Sequence, residues 1–286
     1  MKDYYTICKN LVPKRVRTSL KPLYLRWSLR SFKEPQYVTV KNYGFSILLD
    51  PINGAVDQYV YMHRNWETRI ATLLERELRH GDTFVDVGAN IGCFTFPGAL
   101  FVGATGHVIA FEPIVRLAKQ IASSVARNNF QNVSIQQMAV GREQGVGTLS
   151  LVPGNIGGSS LVKENTSGMF ETVAVSTLDA ELSSCERVDL IKIDVEGYEL
   201  EVLEGARHIL QKHTPKLILE FSPNVYRKRD PGIARSILML LREMGYVIRD
   251  IERNVHVENI DTYLEQLGRD QTNLFAVATH KVAKRV

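Results

Sequence analysis

Long apolar runs are missing from this 286-residue chain. None approaches the ~20 residues that a bilayer-crossing helix needs. Cysteine is scarce too. Cys8, Cys93 and Cys185 lie far apart and form no C-x-x-C pair. That disfavours a thiolate zinc site or a dithiol redox motif, and it suits a reducing compartment. Glycine (20 residues) and proline (10) are too few for a collagen-like or low-complexity chain. Charge of one sign is also lacking, since the formal net charge is only +4. It is unevenly spread. Residues 1–35 hold nine Lys/Arg against Asp3 and Glu34, a balance of +7, which leaves −3 on the remainder. A uniformly basic nucleic-acid binder is therefore disfavoured. The basic segment does not read as a signal peptide, because its uncharged run between Lys2 and Lys9 is followed by more cations. The expected location is cytoplasmic.

What is present divides into an arm and a body. In the arm, Leu20, Leu23, Tyr24 and Trp27 recur at i, i+3, i+4, i+7, with Lys21, Arg26 and Arg30 off that stripe. This predicts an amphipathic helix. It either rests on an anionic membrane surface, at the inner face, or packs on the body. Pro13 and Pro22 limit its length. Residues 36–62 alternate loosely and predict a β-hairpin with its turn at Asn42-Tyr43-Gly44. Residues 66–79 (Ile70, Leu73, Leu74, Leu78) predict a helix ending at His80-Gly81.

Beyond Gly81, strands alternate with helices. The predicted strands are Thr83–Val87, Val108–Phe111, Val133–Gln136, Val188–Asp194 and Lys216–Phe221, with Tyr246–Ile251 and Leu274–Ala278 later. Helices are predicted at Arg116–Asn128 and Leu200–Gln211. Such alternation predicts an α/β fold with a mostly parallel sheet and helices on both faces. Residues 145–178 interrupt it with Gly145, Gly147, Pro153, Gly154, Gly157 and Gly158. They predict a small β insertion before the fourth strand, or a lid over a site. The expected domains are a basic arm, 1–35, and one catalytic domain, 36–286.

Two blocks carry chemistry. Asp86-Val87-Gly88-Ala89-Asn90-Ile91-Gly92 follows a buried strand directly. Gly88 permits a sharp turn close to a ligand, and Gly92 lets the next helix approach. Glu112 ends the second strand, where a carboxylate accepts hydrogen bonds from ribose hydroxyls. The glycine spacing is not the G-x-G-x-x-G of a dinucleotide site, and Asp86 would repel a pyrophosphate. A cationic nucleoside cofactor fits better, and S-adenosylmethionine has that description. The second block is Leu190-Ile-Lys192-Ile-Asp194-Val-Glu196-Gly-Tyr-Glu199. Period-2 alternation places Lys192, Asp194 and Glu196 on one side if the chain stays extended. They would bind an acceptor, take a proton from a hydroxyl, hold a divalent metal on Asp194 and Glu196, or form an ion network. No metal is expected, because two carboxylates do not define such a site. Glu220, near the end of the fifth strand, is a candidate for acceptor binding. His213 and His256 are lone histidines, read as surface or loop residues.

At these residues the sequence resembles the FkbM family of S-adenosylmethionine-dependent methyltransferases. The resemblance rests on Phe84–Gly92, Val108-Ile-Ala-Phe-Glu112-Pro113, Ser176-Thr-Leu-Asp179, Leu190–Leu200, Leu203-Glu-Gly-Ala206 and Leu219-Glu220. It spans about residues 65–222 and leaves the arm outside. It implies a Rossmann-like class I methyltransferase fold, seven-stranded, with the final strand antiparallel. It implies O-methylation of sugar or natural-product hydroxyls. The cofactor would meet Asp86, Gly88 and Asn90 along its methionine part, Glu112 at its ribose and Met138-Ala139 near its adenine. Ala89, Gly92 and Pro113 are expected to bind it as well. Glu67 would reach its amino group. Asp194 is the first candidate for the base and Glu196 the second, with Lys192 orienting the oxygen. Cys93-Phe94 departs from the family's aromatic-first pattern after Gly92. Two other classes compete: a non-catalytic interaction or membrane-surface module that keeps the cofactor fold, and an NAD(P)-dependent oxidoreductase. The wrong glycine spacing disfavours the latter.

Overall fold

The computed structural model describes residues 34–52, 54–152, 155–161 and 169–279. The arm's apolar stripe, and with it the expected membrane contact, lies outside them. The chain opens with the hairpin β1 (Gln36–Thr39) and β2 (Ser46–Leu49). The hairpin expected over 36–62 stops there, because Ala55–His63 is helix α1. Val56 and Val60 stand at i and i+4, and Asp57 sits in the first turn, where the helix dipole favours an acid. The buried Asp57 carboxylate accepts from Asp50 N (2.6 Å) and Gln120 Nε2 (2.9 Å), which ties the helix to its surroundings. Helix α2 (Thr68–Glu77) buries Ile70, Leu73 and Leu74, as their spacing predicts. It ends sooner than expected, because Leu78 is already extended.

The alternating body follows: β3 (Thr83–Val87), α3 (Thr95–Val102), β4 (His107–Phe111), α4 (Val115–Asn128) and β5 (Val133–Gln136). Then come β6 (Ala139–Val140), β7 (Gly145–Ser150), a 3-10 turn at Ile156–Gly158 and β8 (Phe170–Ser176). Short α5 (Leu178–Glu181) leads to β9 (Leu190–Ile193). Next are α6 (Glu199–Glu204), α7 (Arg207–His213), β10 (Lys216–Phe221), α8 (Pro223–Tyr226) and α9 (Ile233–Glu243). The described chain closes with β11 (Tyr246–Asp250), β12 (Val255–His256), α10 (Ile260–Leu267) and β13 (Thr272–Ala278). The single helix expected at Leu200–Gln211 is two helices. They part at Gly205, where a Cβ would stand 2.0 Å from the Gly141 carbonyl oxygen.

The main sheet has the order β12-β11-β13-β10-β9-β3-β4-β5. Strands β10, β9, β3, β4 and β5 are mutually parallel, and β13 runs antiparallel between β10 and β11. This is the expected Rossmann-like class I methyltransferase architecture, antiparallel last strand included. It carries an eighth, two-residue strand, β12, that hydropathy does not reveal. The expected β insertion is a separate sheet, β6-β8-β7.

Both sheet faces are covered. Val85, Val87, Ile191 and Ile193 pack with Val202, Leu203, Ile209 and Ile237 from α6, α7 and α9. Phe84, Leu190 and Ile218, on the other face, pack with Ile70 and Leu74 of α2 and Val102 of α3. Burying each such side chain stabilises the fold by about 1.5–3 kcal/mol. In a parallel sheet clad in this way, ligands bind beyond the carboxyl ends of the strands. No helix among the described residues is long and apolar enough to cross a membrane.

Candidate active site

The tips of β3 and β4 are stitched together by backbone. After Val87 the chain turns at Gly88 (φ +77°), and the N–H groups of Gly88 and Ala89 both donate to the Phe111 carbonyl, each at 3.0 Å. A side chain is excluded at Gly88, since a Cβ would lie 1.8 Å from the Asp194 carbonyl oxygen. Asn90, itself left-handed (φ +55°), donates its N–H to Glu112 Oε2 at 2.8 Å. Ile114 N–H donates to Glu112 Oε1 at 2.9 Å. Glu112 is therefore a buried strut between two loops. Burial pushes its carboxyl up to about 8, against the two N–H donors that favour the anion.

A cleft opens over this strut. Gly88, Asn90, Glu112, Pro113, Met138, Ala139, Asp194 and Glu196 line it, all of them expected site residues. Ile114 and Leu117 add apolar wall. Gly157 of the insertion also lines the cleft, with Ser159, Ser160, Leu161 and Tyr198, which sequence reasoning did not single out. Four of these five belong to the insertion, whose Gly/Ser-rich run was the available signal. The insertion does lie over the site. A Cβ on Gly157 would stand 2.2 Å from Asn90 Nδ2, and Ser160 Oγ donates to the Glu196 carbonyl at 2.8 Å.

The other expected residues stand outside the cleft. Ala89 is buried, and Gly92 (φ +90°) packs so that a Cβ would meet the Phe96 ring at 2.6 Å. Asp86 is wholly buried within β3 instead of presenting its carboxylate at the tip. Strand alternation turns it toward the face of α2 and α3, where its register partner on β9 is Lys192. Thr95 Oγ1 donates to Asp86 Oδ2 at 2.7 Å. Burial raises the Asp86 carboxyl above its ordinary value, and Lys192 opposes that rise.

Lys192 is the hub of an ionic row on this face. Its ammonium lies 3.0 Å from Asp194 Oδ2 and 3.8 Å from Asp86 Oδ1, and 4.9 Å above the centre of the Phe94 ring. Burial pulls its pKa down, but Asp194 and Asp86 outweigh burial and leave it raised. The period-2 expectation holds for Lys192 and Asp194 and fails after them. Strand β9 ends at Ile193 rather than Asp194, and the chain turns left-handed at Glu196 (φ +54°) and Gly197 (φ +99°). Glu199 Oε1 holds that turn by accepting from Val195 N and Gly197 N, each at 3.1 Å. Burial, reinforced by Asp194 and Glu199, pushes the Glu196 carboxyl up to about 7. Leu219 pairs with Ile193, so Glu220 stands level with Asp194 one step on. Burial first, then Asp194, Glu196 and Glu199, raise the Glu220 carboxyl well above its usual range, and Gln271 donates to it. Glu67 caps α2 with a strained backbone (φ +27°) and lies exposed in the field of Lys192 and Asp194. Among the described residues, no group of three or more His, Cys, Asp or Glu is placed to hold a metal ion.

Comparison with known proteins bears on what this geometry is for. The family described as "Methyltransferase FkbM domain" matches residues 86–248. Methyltransferase 1 of Beauveria bassiana is 29% identical over 147 residues, covering 43% of this chain and 58% of that protein. Hexuronic acid methyltransferase AglP of Haloferax volcanii is 28% identical over 146 residues, covering 51% of this chain and 58% of that protein. The chain thus spans under two thirds of these relatives' lengths. Among solved structures, an FkbM methyltransferase from Methylobacillus flagellatus aligns with 17% identity and a TM-score of 0.45, over 91% of this chain and 60% of that one.

Proposed function

The chain belongs to the methyltransferase FkbM domain family, and on that premise we propose that it transfers a methyl group from S-adenosylmethionine to a hydroxyl of a sugar, glycan or other natural-product acceptor. The observation that carries this reading is the shared border of two chemically different regions. A cleft suited to a nucleoside meets an acidic row at Asp194 and Glu196.

The cleft residues fit the cofactor. Sheet order places the tip of β9 beside β3, then β4, then β5. The lining therefore passes from acidic Asp194 and Glu196, past Gly88 and Asn90, to Glu112, and on to apolar Leu117 and Met138. In that order it offers an acidic border to the acceptor, the Gly88–Asn90 loop to an amino-acid tail, an acceptor group to ribose hydroxyls and an apolar wall to a base. When bound, S-adenosylmethionine supplies an electrophilic methyl group. Gly88 keeps backbone rather than side chain against it, and Glu112 holds the two loops in register. Asp194 lines the cleft and is paired with buried Lys192, with Glu67 in the field of both, and this group orients an amino group or the acceptor. Asp86 acts one step back, by positioning Lys192.

Proton removal from the acceptor hydroxyl falls to Glu196 or Asp194. Asp194 is engaged by Lys192 at 3.0 Å. Glu196 has a carboxyl poised near 7, where a general base works best in neutral solution. We place Glu196 first for that reason, and Asp194 with Lys192 as the orienting pair. Glu220 faces the same mouth and contributes to acceptor binding. In this reading residues 36–286 form the transferase unit, and residues 1–35 a basic arm that meets an anionic membrane surface. The hexuronic acid named for the Haloferax volcanii relative supports a sugar as acceptor class.

Titration calorimetry with S-adenosylmethionine tests the reading. Wild-type protein should bind it, and Glu112→Ala should weaken binding by about 10- to 100-fold, the loss of one or two hydrogen-bonded contacts. Tritiated methyl should then pass into a glycan fraction of a cell extract. A wild-type protein that binds NADH but not S-adenosylmethionine would overturn it.

A further inference from the structure

A second pocket lies on the same side of the sheet as the Lys192 row. It is enclosed by the β1–β2 hairpin, α2 and the start of the loop into α3. Its floor is apolar and buried, formed by Phe45, Ile47 and Ala71. Half-buried Tyr43 and Trp66 make its walls. Exposed Asn42, Thr68 and Thr72 make its rim. Every lining side chain among the described residues is uncharged. Small-molecule sites commonly combine an apolar body with a few neutral polar groups at the mouth.

The pocket is joined to the acidic mouth at two places. Trp66 precedes Glu67, which faces Lys192 and Asp194. Cys93 lines the pocket and precedes Phe94, over whose ring Lys192 stands at 4.9 Å. A molecule seated in the pocket would have to extend past Trp66 or Cys93 to meet that row. The two regions would select opposite ends of it. Lys192, Asp194 and Glu220 offer ionic partners to a hydroxyl. The pocket floor offers no hydrogen-bonding partner, so a charged or polyhydroxylated group would lose hydration there without compensation. We infer that this pocket receives an uncharged apolar group of the methyl acceptor while the acceptor's hydroxyl meets the acidic mouth, which makes the acceptor amphiphilic. The inference rests on the methyl-transfer reading.

The test uses the full-length chain. Trp66 is one of two tryptophans, so Trp27→Phe leaves it as the single indole reporter. Octyl β-glucoside, kept below its micelle concentration, should change Trp66 emission saturably, and methyl β-glucoside should not. Thr72→Phe, at an exposed position on the rim, should weaken the octyl glucoside response by about tenfold or more while S-adenosylmethionine affinity stays within roughly twofold. Label transferred in a cell extract should partition into butanol, and Thr72→Phe should lower it. Equal responses to the two glucosides, or label confined to the aqueous phase, would overturn the inference. So would the absence of any saturable response, as expected if the pocket is filled by another segment of the chain. Failure of the wild-type protein to bind S-adenosylmethionine would overturn the transfer reading and this inference with it. It is a separate measurement from the Trp66 response, so the two failures are distinguishable.

Discussion

The cleft over Glu112 and the ionic row around Lys192 meet at Asp194, yet they are built by different means. Backbone makes the first. Gly88 and Ala89 donate to one carbonyl, Asn90 and Ile114 donate to one carboxylate, and the turn is enforced by positive φ. Side chains from distant segments make the second: Glu67 before β3, Asp86 in β3, Lys192 in β9 and Glu220 in β10. A region fixed by backbone tolerates few substitutions but holds its shape without a ligand. A region fixed by charge tolerates substitution sterically and is tuned by pH and by its neighbours.

The sharpest way to break the comparison is at Gly88. Gly88→Ala must both adopt a left-handed backbone and move the Asp194 carbonyl, which a Cβ would approach to 1.8 Å. The expected cost is about 2–4 kcal/mol. That predicts a Tm lower by roughly 5–10 °C for a domain of this size. S-adenosylmethionine affinity should drop by about 100-fold. Gly145→Ala is the control, since a Cβ there meets nothing within 4 Å. Equal melting temperatures for the two variants would show that the strand tips yield, and that the cleft is not a backbone-fixed object.

Substitution in the ionic row should act through protons instead. Glu196 works as a base only when deprotonated, and its carboxyl is held near 7. So kcat/KM should climb as pH rises through about 7 and fall away below it. Glu196→Gln should remove that acidic limb and lower kcat by about 100-fold or more. Asp194→Asn should leave cofactor affinity within a few fold while turnover falls, because it leaves Lys192 with Asp86 alone rather than reshaping the cleft. Survival of the limb in Glu196→Gln would assign it elsewhere, with Glu199 next, since burial holds its carboxyl at about 7 as well. Loss of cofactor binding in Asp194→Asn would move Asp194 from orienting the acceptor to holding the cofactor.

The two regions also differed in how far sequence reached them. The β3 and β4 loops are local. Strand, glycine turn and carboxylate follow one another, so spacing alone brings Gly88, Asn90 and Glu112 to one cleft. For Asp86 spacing is not enough. Its type suggested a ligand group at the strand tip, but alternation inside a buried strand sends it toward Lys192, and that depends on which strand becomes the neighbour. Glu196 shows the same limit. Extended geometry was assumed through it, whereas two left-handed residues and the Glu199 carboxylate turn the chain there. The parallel strands were legible because apolar runs and helical spacing alternate. Strand β12 and helix α1 were not, being two residues in one case and weakly patterned in the other. The pocket beside Trp66 needs the hairpin, α2 and the loop into α3 together, and no local pattern encodes that meeting.

The smallest expected effect comes from the insertion, which touches both regions. Its Gly157 presses on Asn90 in the backbone-fixed cleft. Its Ser160 hydroxyl donates to the carbonyl of Glu196, at the border with the ionic row, at 2.8 Å. Ser160→Ala removes one neutral hydrogen bond, worth about 0.5–1.5 kcal/mol, and leaves the Ser150–Ser160 backbone bridge in place. Bound cofactor should then dissociate several-fold faster with little change in Tm, as stopped-flow displacement would read. If the segment merely decorates the surface, dissociation will not change. If it is structural, Tm will fall instead. Faster release at constant Tm is the result that makes this segment a cover over the cleft. It would also place control of ligand exchange in a contact that neither region forms by itself.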